Sequence, residues 1–140
     1  VGNNSVHNLA RIIREGCVFV ALDLSSVQEF SRVIDSPFRA NPNLVGIIFP
    51  NNLLSINEKA FADCKNLEFV EVPASVKKIG KEAFFGCEKL NKMEFKEPEG
   101  WFVEKDGENQ PIENLHKSED NPYRFTLPSS PYRSCIVYKA

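Results

Sequence analysis

The sequence lacks the features that mark membrane proteins and nucleic-acid-binding proteins. Among its 140 residues, no apolar run approaches the roughly 20 residues of a membrane-spanning helix. The formal net charge of -2 provides no basic excess for binding nucleic acid or an anionic membrane. We therefore expect no nucleic-acid partner and no membrane span.

Motifs for catalysis and cofactor binding are also missing. The sequence has no phosphate-binding loop of the form G-x-x-x-x-G-K, no G-x-G-x-x-G, no H-E-x-x-H and no EF-hand pattern. Its two histidines, His7 and His116, lie in a predicted helix and a polar tail, and nothing in the sequence brings either beside a nucleophile with an orienting acid. We predict a protein that is not an enzyme, with no catalytic residue and no cofactor.

What the sequence does contain is an internal repeat with a period of 23 residues. Asn43–Lys65 is followed without a gap by Asn66–Glu88, and the two segments share seven identical residues. Ordinary composition would give about one or two identities by chance. A repeat of this length, with strand-like and helix-like halves, predicts a solenoid whose coils bury one another's apolar faces.

Each repeat is interpreted as one coil that contains a short parallel strand. Nine apolar residues point inward from three such strands: Leu44, Ile47, Phe49, Leu67, Val70, Val72, Leu90, Met93 and Phe95. A second apolar pair lines the other side of each coil, namely Leu53 with Ile56 and Val76 with Ile79. Asn57 or Gly80 follows, and both are residue types that tolerate a positive φ. A single helical turn should come next, with Ala60, Cys64, Ala83 and Cys87 facing the core and Phe61 and Phe84 between the walls.

The N-terminal segment predicts a helix followed by the first strand. Ser5 through Gly16 has apolar residues at helical spacing, with Ser5 as the N-cap and Gly16 as the stop. This helix should lie across an end of the solenoid. Val18–Leu24 alternates in the pattern of a half-buried strand.

The next segment, Leu22–Pro42, is interpreted as a degenerate coil. Val33 lies 23 residues before Ile56, and Phe38 lies 23 residues before Phe61, with about two extra residues near Ser25–Ser26. Irregular terminal repeats are expected in solenoids.

The tail breaks the period. Prolines at positions 98, 111, 122, 128 and 131 exclude long regular elements, and Asp106-Gly107 is a turn dipeptide. Trp101 is expected to cover the last coil, although a sugar platform or an interface anchor is the alternative. We predict a single domain over residues 1–140, with an N-terminal cap in 1–17, repeats in 18–95 and a C-terminal cap in 96–140.

The four cysteines form no C-x-x-C pair and have no histidine at metal-ligand spacing, so we predict no metal site. Cys64 and Cys87 occupy equivalent places in successive coils, about 4.8 Å apart, which is compatible with a disulfide. The alternative is that both are small buried apolar side chains, a common environment for free cysteine. Only the even count suggests a pairing of Cys17 with Cys135.

The consensus L-x-x-V-x-h-P-x-s-V-x-x-I-x-x-x-A-F-x-x-C, as it stands in Leu67–Cys87, resembles the leucine-rich repeat of the BspA-like bacterial surface proteins, also called the Treponema pallidum type. The resemblance covers Leu22 to Phe95, and Val20–Ser25 is similar to the strand that usually opens this family. Lys96 stands where the repeat has Pro. The resemblance implies an α/β fold, a short right-handed leucine-rich repeat solenoid of about four coils. Its strands are parallel, and it has an N-terminal helical cap and an irregular C-terminal cap.

The resemblance also implies a function and a location. Members of this family are exported, lie at the cell surface or outside the cell, and are associated with adhesion to host proteins and other cells. The chain starts at Val1 and shows no signal-peptide pattern, so we expect any export signal to precede it. The implied function is a non-catalytic protein-binding module. A structural or self-assembling surface component and an intracellular scaffold are the alternatives, and the oligomeric state is open.

Outward side chains of the parallel strands should form two rows. One row contains Asp23, Ile48, Glu71 and Glu94, and the other contains Ala21, Gly46, Phe69 and Lys92. We predict a protein-binding face formed by Asp23, Ile48, Phe69, Glu71, Lys92 and Glu94. In this hypothesis Phe69 and Ile48 are apolar anchors within an acidic patch that steers the ligand. The alternative is a solvated surface with two stray apolar side chains.

Overall fold

The structure is a computed structural model that describes residues 3–28, 33–105, 107–126 and 136–139. Its described elements, in chain order, are α1 (Asn3–Glu15), β1 (Val20–Asp23), β2 (Val33–Ile34), β3 (Leu44–Ile48), β4 (Ser55–Ile56), β5 (Phe69–Val72), β6 (Lys78–Ile79), β7 (Lys92–Phe95), β8 (Trp101–Lys105), β9 (Glu108–Pro111), α2 (Asn121–Thr126) and β10 (Ile136–Lys139). Successive coils stack their strands in parallel, as the 23-residue period predicts.

One side of the stack is a four-stranded parallel sheet in the order β1-β3-β5-β7. Equivalent residues of neighbouring repeats pair directly, as in Ile47 with Val70 and Val70 with Met93. All nine apolar residues predicted to point inward from these strands are buried. The interior of this sheet was therefore predicted correctly.

A second sheet forms another side of the coils. The short strands β2, β4 and β6 are parallel, and β6 is followed by the antiparallel strands β10, β8 and β9. Leu53, Ile56, Val76 and Ile79 are buried beneath it. The core lies between the two sheets and the turns that connect them.

The third side of each coil consists of consecutive turns, and the predicted helical turn is wrong. Some backbone N–H groups bond back by three residues, as in Ala62 N to Lys59 O (3.2 Å). Others donate to the next coil, as in Phe61 N to Ala83 O (2.8 Å). This side therefore joins the coils by hydrogen bonds, which an α-helical turn would have kept within one coil. The residues predicted to face the core from it are nevertheless buried.

Positive φ angles recur in this third side, at residues other than Asn57 and Gly80. Lys59 and Glu82 have φ of 56° and 53°, and Ala40, Asp63 and Gly86 have φ of 53°, 60° and 76°. Gly80 is required for a different reason. A Cβ there would overlap the backbone N of Glu58 and lie 2.7 Å from the backbone C of Asn57, so the coils could not approach as they do.

Three phenylalanines form a continuous stack through the core. Phe61 lies between Phe38 and Phe84, with ring centroids at 5.4 Å and 5.5 Å and nearly parallel planes. Phe49 meets the Phe61 ring edge-on at 5.5 Å. The three stacked residues come from equivalent positions of successive coils, which confirms the predicted alignment of Phe38 with Phe61.

The first coil is irregular, but its predicted register needs two corrections. Ile34, not Val33, pairs with Ile56. Eleven residue steps separate Asp23 from Ile34, whereas eight separate the paired residues Ile48 and Ile56. The segment before Ile34 is therefore three residues longer than its counterpart. The segment from Ile34 to Phe38 is one residue shorter than that from Ile56 to Phe61, so the first coil has a net insertion of the expected two residues.

The first strand is also shorter than predicted. It begins at Val20, and the preceding Val18 and Phe19 are 67% and 66% exposed. Val18 is therefore not an inward residue of the strand. Val20 and Leu22 pack against the core while staying half exposed.

The predicted N-terminal helix is present as α1, but it begins at Asn3, so Ser5 lies inside it and is not its N-cap. Its buried face contains Val6, Ala10 and Ile13. Two side chains of the first coils hold its carbonyl groups. Asn41 Nδ2 donates to Ala10 O (3.0 Å), and Asn43 Nδ2 donates to Ile13 O (2.9 Å) and Gly16 O (2.7 Å).

The tail folds back onto the last coils. Strands β8 and β9 form a hairpin in which Lys105 pairs with Glu108, and Gly107 between them has a φ of 82°. Strand β10 inserts between β8 and β6. Trp101 is 2% exposed, meets Phe95 edge-to-face at 5.3 Å and donates Nε1–H to Glu97 O (2.9 Å). It covers the last coil and presents no exposed platform for a sugar.

Candidate functional site

The two predicted outward rows are present on the four-stranded sheet. Asp23, Ile48, Glu71 and Glu94 pair in succession across β1, β3, β5 and β7, and so do Ala21, Gly46, Phe69 and Lys92. The parallel register produces this arrangement, because residues one period apart come side by side when the strands stack. The strands therefore position all six residues of the candidate face together.

Phe69 occupies the centre of the second row. Its ring lies over Gly46, since a Cβ built at Gly46 would be 3.5 Å from Phe69 Cδ1. The ammonium of Lys92 lies 5.7 Å from the centre of the ring, within the range of a cation–π interaction. The small residue Ala21 lies beyond Gly46. Phe69 is thus half-buried and held on two sides, with the rest of its ring open to solvent.

Glu71 and Glu94 belong to a group of ion pairs with two lysines. Lys96 Nζ is 2.9 Å from Glu94 Oε1 and 3.4 Å from Glu71 Oε2, and Lys92 Nζ is 3.8 Å from Glu94 Oε2. The hydrogen bond from Lys96 lowers the pKa of Glu94, and the same bond raises the pKa of Lys96. The face therefore carries paired charges of both signs, which corrects the description of this region as an acidic patch.

Asp23 lies at the other end of the first row. Its carboxylate accepts hydrogen bonds from the hydroxyl of Ser25 (2.6 Å) and from the backbone N–H of Ser25 (3.0 Å). These bonds lower the pKa of Asp23, the hydroxyl bond more than the backbone bond. Ile48, half-buried, lies between Asp23 and Glu71. The apolar Ile48 thus separates the carboxylate of Asp23 from the ion pairs on β5 and β7.

Lys96 is the residue of this region that the sequence-based prediction did not include. It follows β7 directly, and its position within the repeat is that of Pro50 and Pro73. Its backbone N–H donates to Val72 O (3.0 Å), a bond that proline could not make. The signal was the alternation of side chains, because residue 96 lies two positions beyond Glu94 and so faces the same way.

Cys64 and Cys87 lie in the core and take no part in this region. Cys64 and Cys87 are buried free thiols, and each donates its S–H to a carbonyl of the preceding coil, Phe38 O at 2.9 Å and Phe61 O at 3.1 Å. Loss of hydration raises the pKa of Cys64 to about 11 and raises the pKa of Cys87 further. Of the two alternatives, the structure shows the buried apolar one. Cys17 is an exposed free thiol, and Cys135 lies outside the described residues.

Within residues 3–28, 33–105, 107–126 and 136–139, no three His, Cys, Asp or Glu side chains come together in a way that could hold a metal ion. No helix in this described part of the chain has both the length and the apolar character needed to cross a bilayer.

Stacked parallel strands, buried aliphatic residues at equivalent positions and connecting turns define a solenoid of the leucine-rich repeat class. The family model for the BspA type leucine-rich repeat region (6 copies) matches residues 29–101. The match covers more than half of the chain, and the chain belongs to this family. No curated protein and no solved structure gave a significant match. Leucine-rich repeats of this family are interaction scaffolds, typically non-catalytic and typically associated with the cell surface.

Proposed function

We propose that this protein is an exported, non-catalytic binding module that acts in adhesion, with a protein of a host or of another cell as its ligand. Its binding face consists of Asp23, Ile48, Phe69, Glu71, Lys92 and Glu94, and we add Lys96. The observation that carries the proposal is the half-exposed Phe69 ring beside a set of ion pairs on one rigid sheet. Residues 1–140 act as one domain in this proposal.

The chemistry of the face suits a protein ligand. Aromatic side chains are enriched at the centres of protein interfaces, where they bury a large area with little loss of conformational entropy. Phe69 is already restricted by Gly46 and Lys92, so less entropy is lost when a ligand covers it. The ion pairs of Lys96 hold three charged side chains in place before binding. Such charges influence the association rate and the choice of partner more than the affinity.

The size of the face limits what it can bind alone. Four strands at about 4.8 Å spacing, with about four residues each, present an area of roughly 250 Å². A standard protein interface buries about 800 Å² on each partner. A ligand must therefore also contact neighbouring turns, or engage more than one such face.

The test is capture of host-matrix proteins and intact cells by the immobilised chain. The variant Phe69→Ala with Glu71→Lys removes the aromatic ring and reverses one charge, and we expect at least a tenfold loss of captured ligand. The control is Leu54→Ala with Glu108→Lys, which truncates an apolar side chain and reverses one charge at exposed residues off this sheet face. Equal capture by the double variant and the wild type would remove this face from consideration.

A structural surface component without a host ligand is the second candidate. It is favoured by one observation, the open outer edge of β1, which has no strand partner among the described residues. In that case the host-matrix capture assay gives no signal for the wild type.

A further inference from the structure

The outer edge of β1 differs from the other end of the same sheet. Val20 N donates to Asn43 O and Leu24 N donates to Ile48 O, so these residues direct their backbone groups towards β3. Because backbone groups alternate along a strand, the N–H and C=O of Ala21 and Asp23 point away from the sheet. Within the described part of the chain, no backbone group pairs with them.

The opposite edge, at β7, is covered. Met93 N donates to Ser118 O (2.9 Å), and Met93 O accepts a hydrogen bond from Asn121 Nδ2 (2.8 Å). The tail thus uses both backbone groups of Met93, at the middle of the edge where a further strand would pair. Head-to-tail stacking of β7 on β1 of another molecule is therefore blocked, and with it an open filament built from this sheet.

The second sheet has two edge strands, of which β2 is only two residues long and β9 has features that discourage pairing. All four of its residues are exposed, and it contains Glu108 and Pro111. Charged residues and proline are the usual means by which proteins protect an edge strand. By contrast, β1 follows Val18 and Phe19, the two most exposed large apolar side chains among the described residues.

We propose that β1 pairs with β1 of a second copy of this chain, antiparallel and centred on Ala21, to form a closed two-fold dimer with a continuous eight-stranded sheet. The paired edges would exchange about six backbone hydrogen bonds, from Phe19, Ala21 and Asp23 of each copy.

The side chains of β1 are self-complementary in this register. On the inward face, the half-buried Val20 of each copy lies opposite Leu22 of the other, so the apolar interior continues across the axis. On the outward face, Ala21 meets Ala21 and Phe19 meets Asp23. The two Asp23 carboxylates are then about 13 Å apart, beyond the screening length of about 8 Å in physiological salt.

The dimer adds a property that the single chain does not have. The outward rows of both copies become neighbours on one sheet, which doubles the area that holds Phe69 and its ion pairs. A two-fold axis makes the combined face symmetric, so it suits a ligand with two equivalent epitopes. The pairing itself does not depend on the proposed adhesive function, since self-association is measured without any ligand.

The test is sedimentation equilibrium of the full chain over a concentration series. The wild type is expected to approach twice the monomer mass as concentration rises. Ala21→Lys and Ala21→Glu each place two like charges opposite one another at the axis and should weaken association at least tenfold. An equimolar mixture of these two variants should regain the dimer, because Lys then faces Glu. Gln110→Lys on β9 is the control and should associate like the wild type.

Several outcomes overturn the proposal. A wild type that stays monomeric at all concentrations overturns it, even if the protein binds an added extended peptide at the same edge. A dimer that persists unchanged in both Ala21 variants uses another surface and also overturns it. If an Ala21 variant does not fold, as judged by circular dichroism, Phe19→Glu replaces it. That change puts a carboxylate opposite Asp23 of the second copy, and Phe19 is 66% exposed, so the fold should tolerate it. Unchanged association of this variant would also overturn the proposal.

Discussion

Replacing Phe61 by Ala tests the aromatic stack at the centre of the solenoid. Phe61 has no exposed surface and contacts three rings, those of Phe38, Phe49 and Phe84. Truncating a buried Phe to Ala costs about 3–5 kcal/mol of stability. Aromatic pairs contribute about 0.5–1.5 kcal/mol each beyond the burial of their area, and this variant loses three of them. We therefore expect Phe61→Ala to lower the free energy of unfolding by about 5 kcal/mol, the upper end of the range for buried Phe.

The position of Phe61 within the stack supplies a comparison inside the same protein. Phe38 occupies the first-coil end and stacks on Phe61 from one side. Phe38→Ala should therefore cost less, about 3–4 kcal/mol. Phe61→Leu keeps most of the volume but loses the three ring contacts, and should cost about 2–3 kcal/mol.

Urea unfolding followed by the fluorescence of the single tryptophan, Trp101, measures all three free energies of unfolding. Because folded domains are stable by only about 5–15 kcal/mol, a loss of about 5 kcal/mol removes a third or more of the total. A loss below about 2 kcal/mol for Phe61→Ala would show that the core collapses around the missing ring. A loss no larger than that of Phe38→Ala would show that contacts between coils add nothing at this position. Either result would refute the reasoning.

Two further predictions concern close packing and thiol reactivity. Gly80→Ala should destabilise the fold by about 1–3 kcal/mol, because its Cβ would overlap the backbone of Glu58. Gly46→Ala is the control and should change the thermal midpoint little, because the nearest contact of its Cβ is at 3.5 Å. Equal effects of the two substitutions would contradict the steric explanation. Iodoacetamide at pH 8 should label Cys17 in the folded protein and leave Cys64 and Cys87 unlabelled until urea is added, since burial raises the pKa of both thiols. Peptide mass spectrometry reads the three sites separately, and early labelling of Cys64 would contradict its burial.

The repeat could be predicted because its residues recur and are nearly all core. Val70 and Val72 face inward and alternate with the outward-facing Phe69 and Glu71, and alternation has one structural meaning on a strand. The turns of the third side could not be predicted in the same way. Ala60 and Cys64 are spaced like helix neighbours, yet that spacing also fits turns whose N–H groups bond alternately within and between coils. Apolar spacing records burial, and it does not record where backbone hydrogen bonds go.

The first coil shows a second limit of sequence comparison. Alignment by the period placed Val33 against Ile56, but the structure pairs Ile34 with Ile56. Both residues are β-branched and apolar, so the pattern could not distinguish them. The extra residues before Ile34 are partly cancelled by the missing residue between Ile34 and Phe38. The alignment of Phe38 with Phe61 therefore reveals only the net length difference of the first coil.

The candidate face could be predicted in its geometry and less well in its charge. Register follows from the period, so the neighbours of Glu71 were identifiable as Ile48 and Glu94. Lys96 belongs to no strand and replaces a proline, and its side chain reaches two carboxylates of the face. Formal charges of strand residues therefore gave a more acidic surface than the folded chain has.

The position of β10 in the second sheet has a consequence for biosynthesis. This strand, Ile136–Lys139, lies between β6 of the repeats and β8 of the hairpin, although both precede it in the chain. A nascent chain that folds from its N-terminus can stack its coils, but the edge of β6 stays unpaired until residue 139 has been made. A product truncated before Ile136 would therefore expose that edge, where proteases and chaperones can recognise it. Pairing of β10 thus marks a copy that has been synthesised at least as far as residue 139, and its absence would distinguish a truncated copy from one that has reached this point.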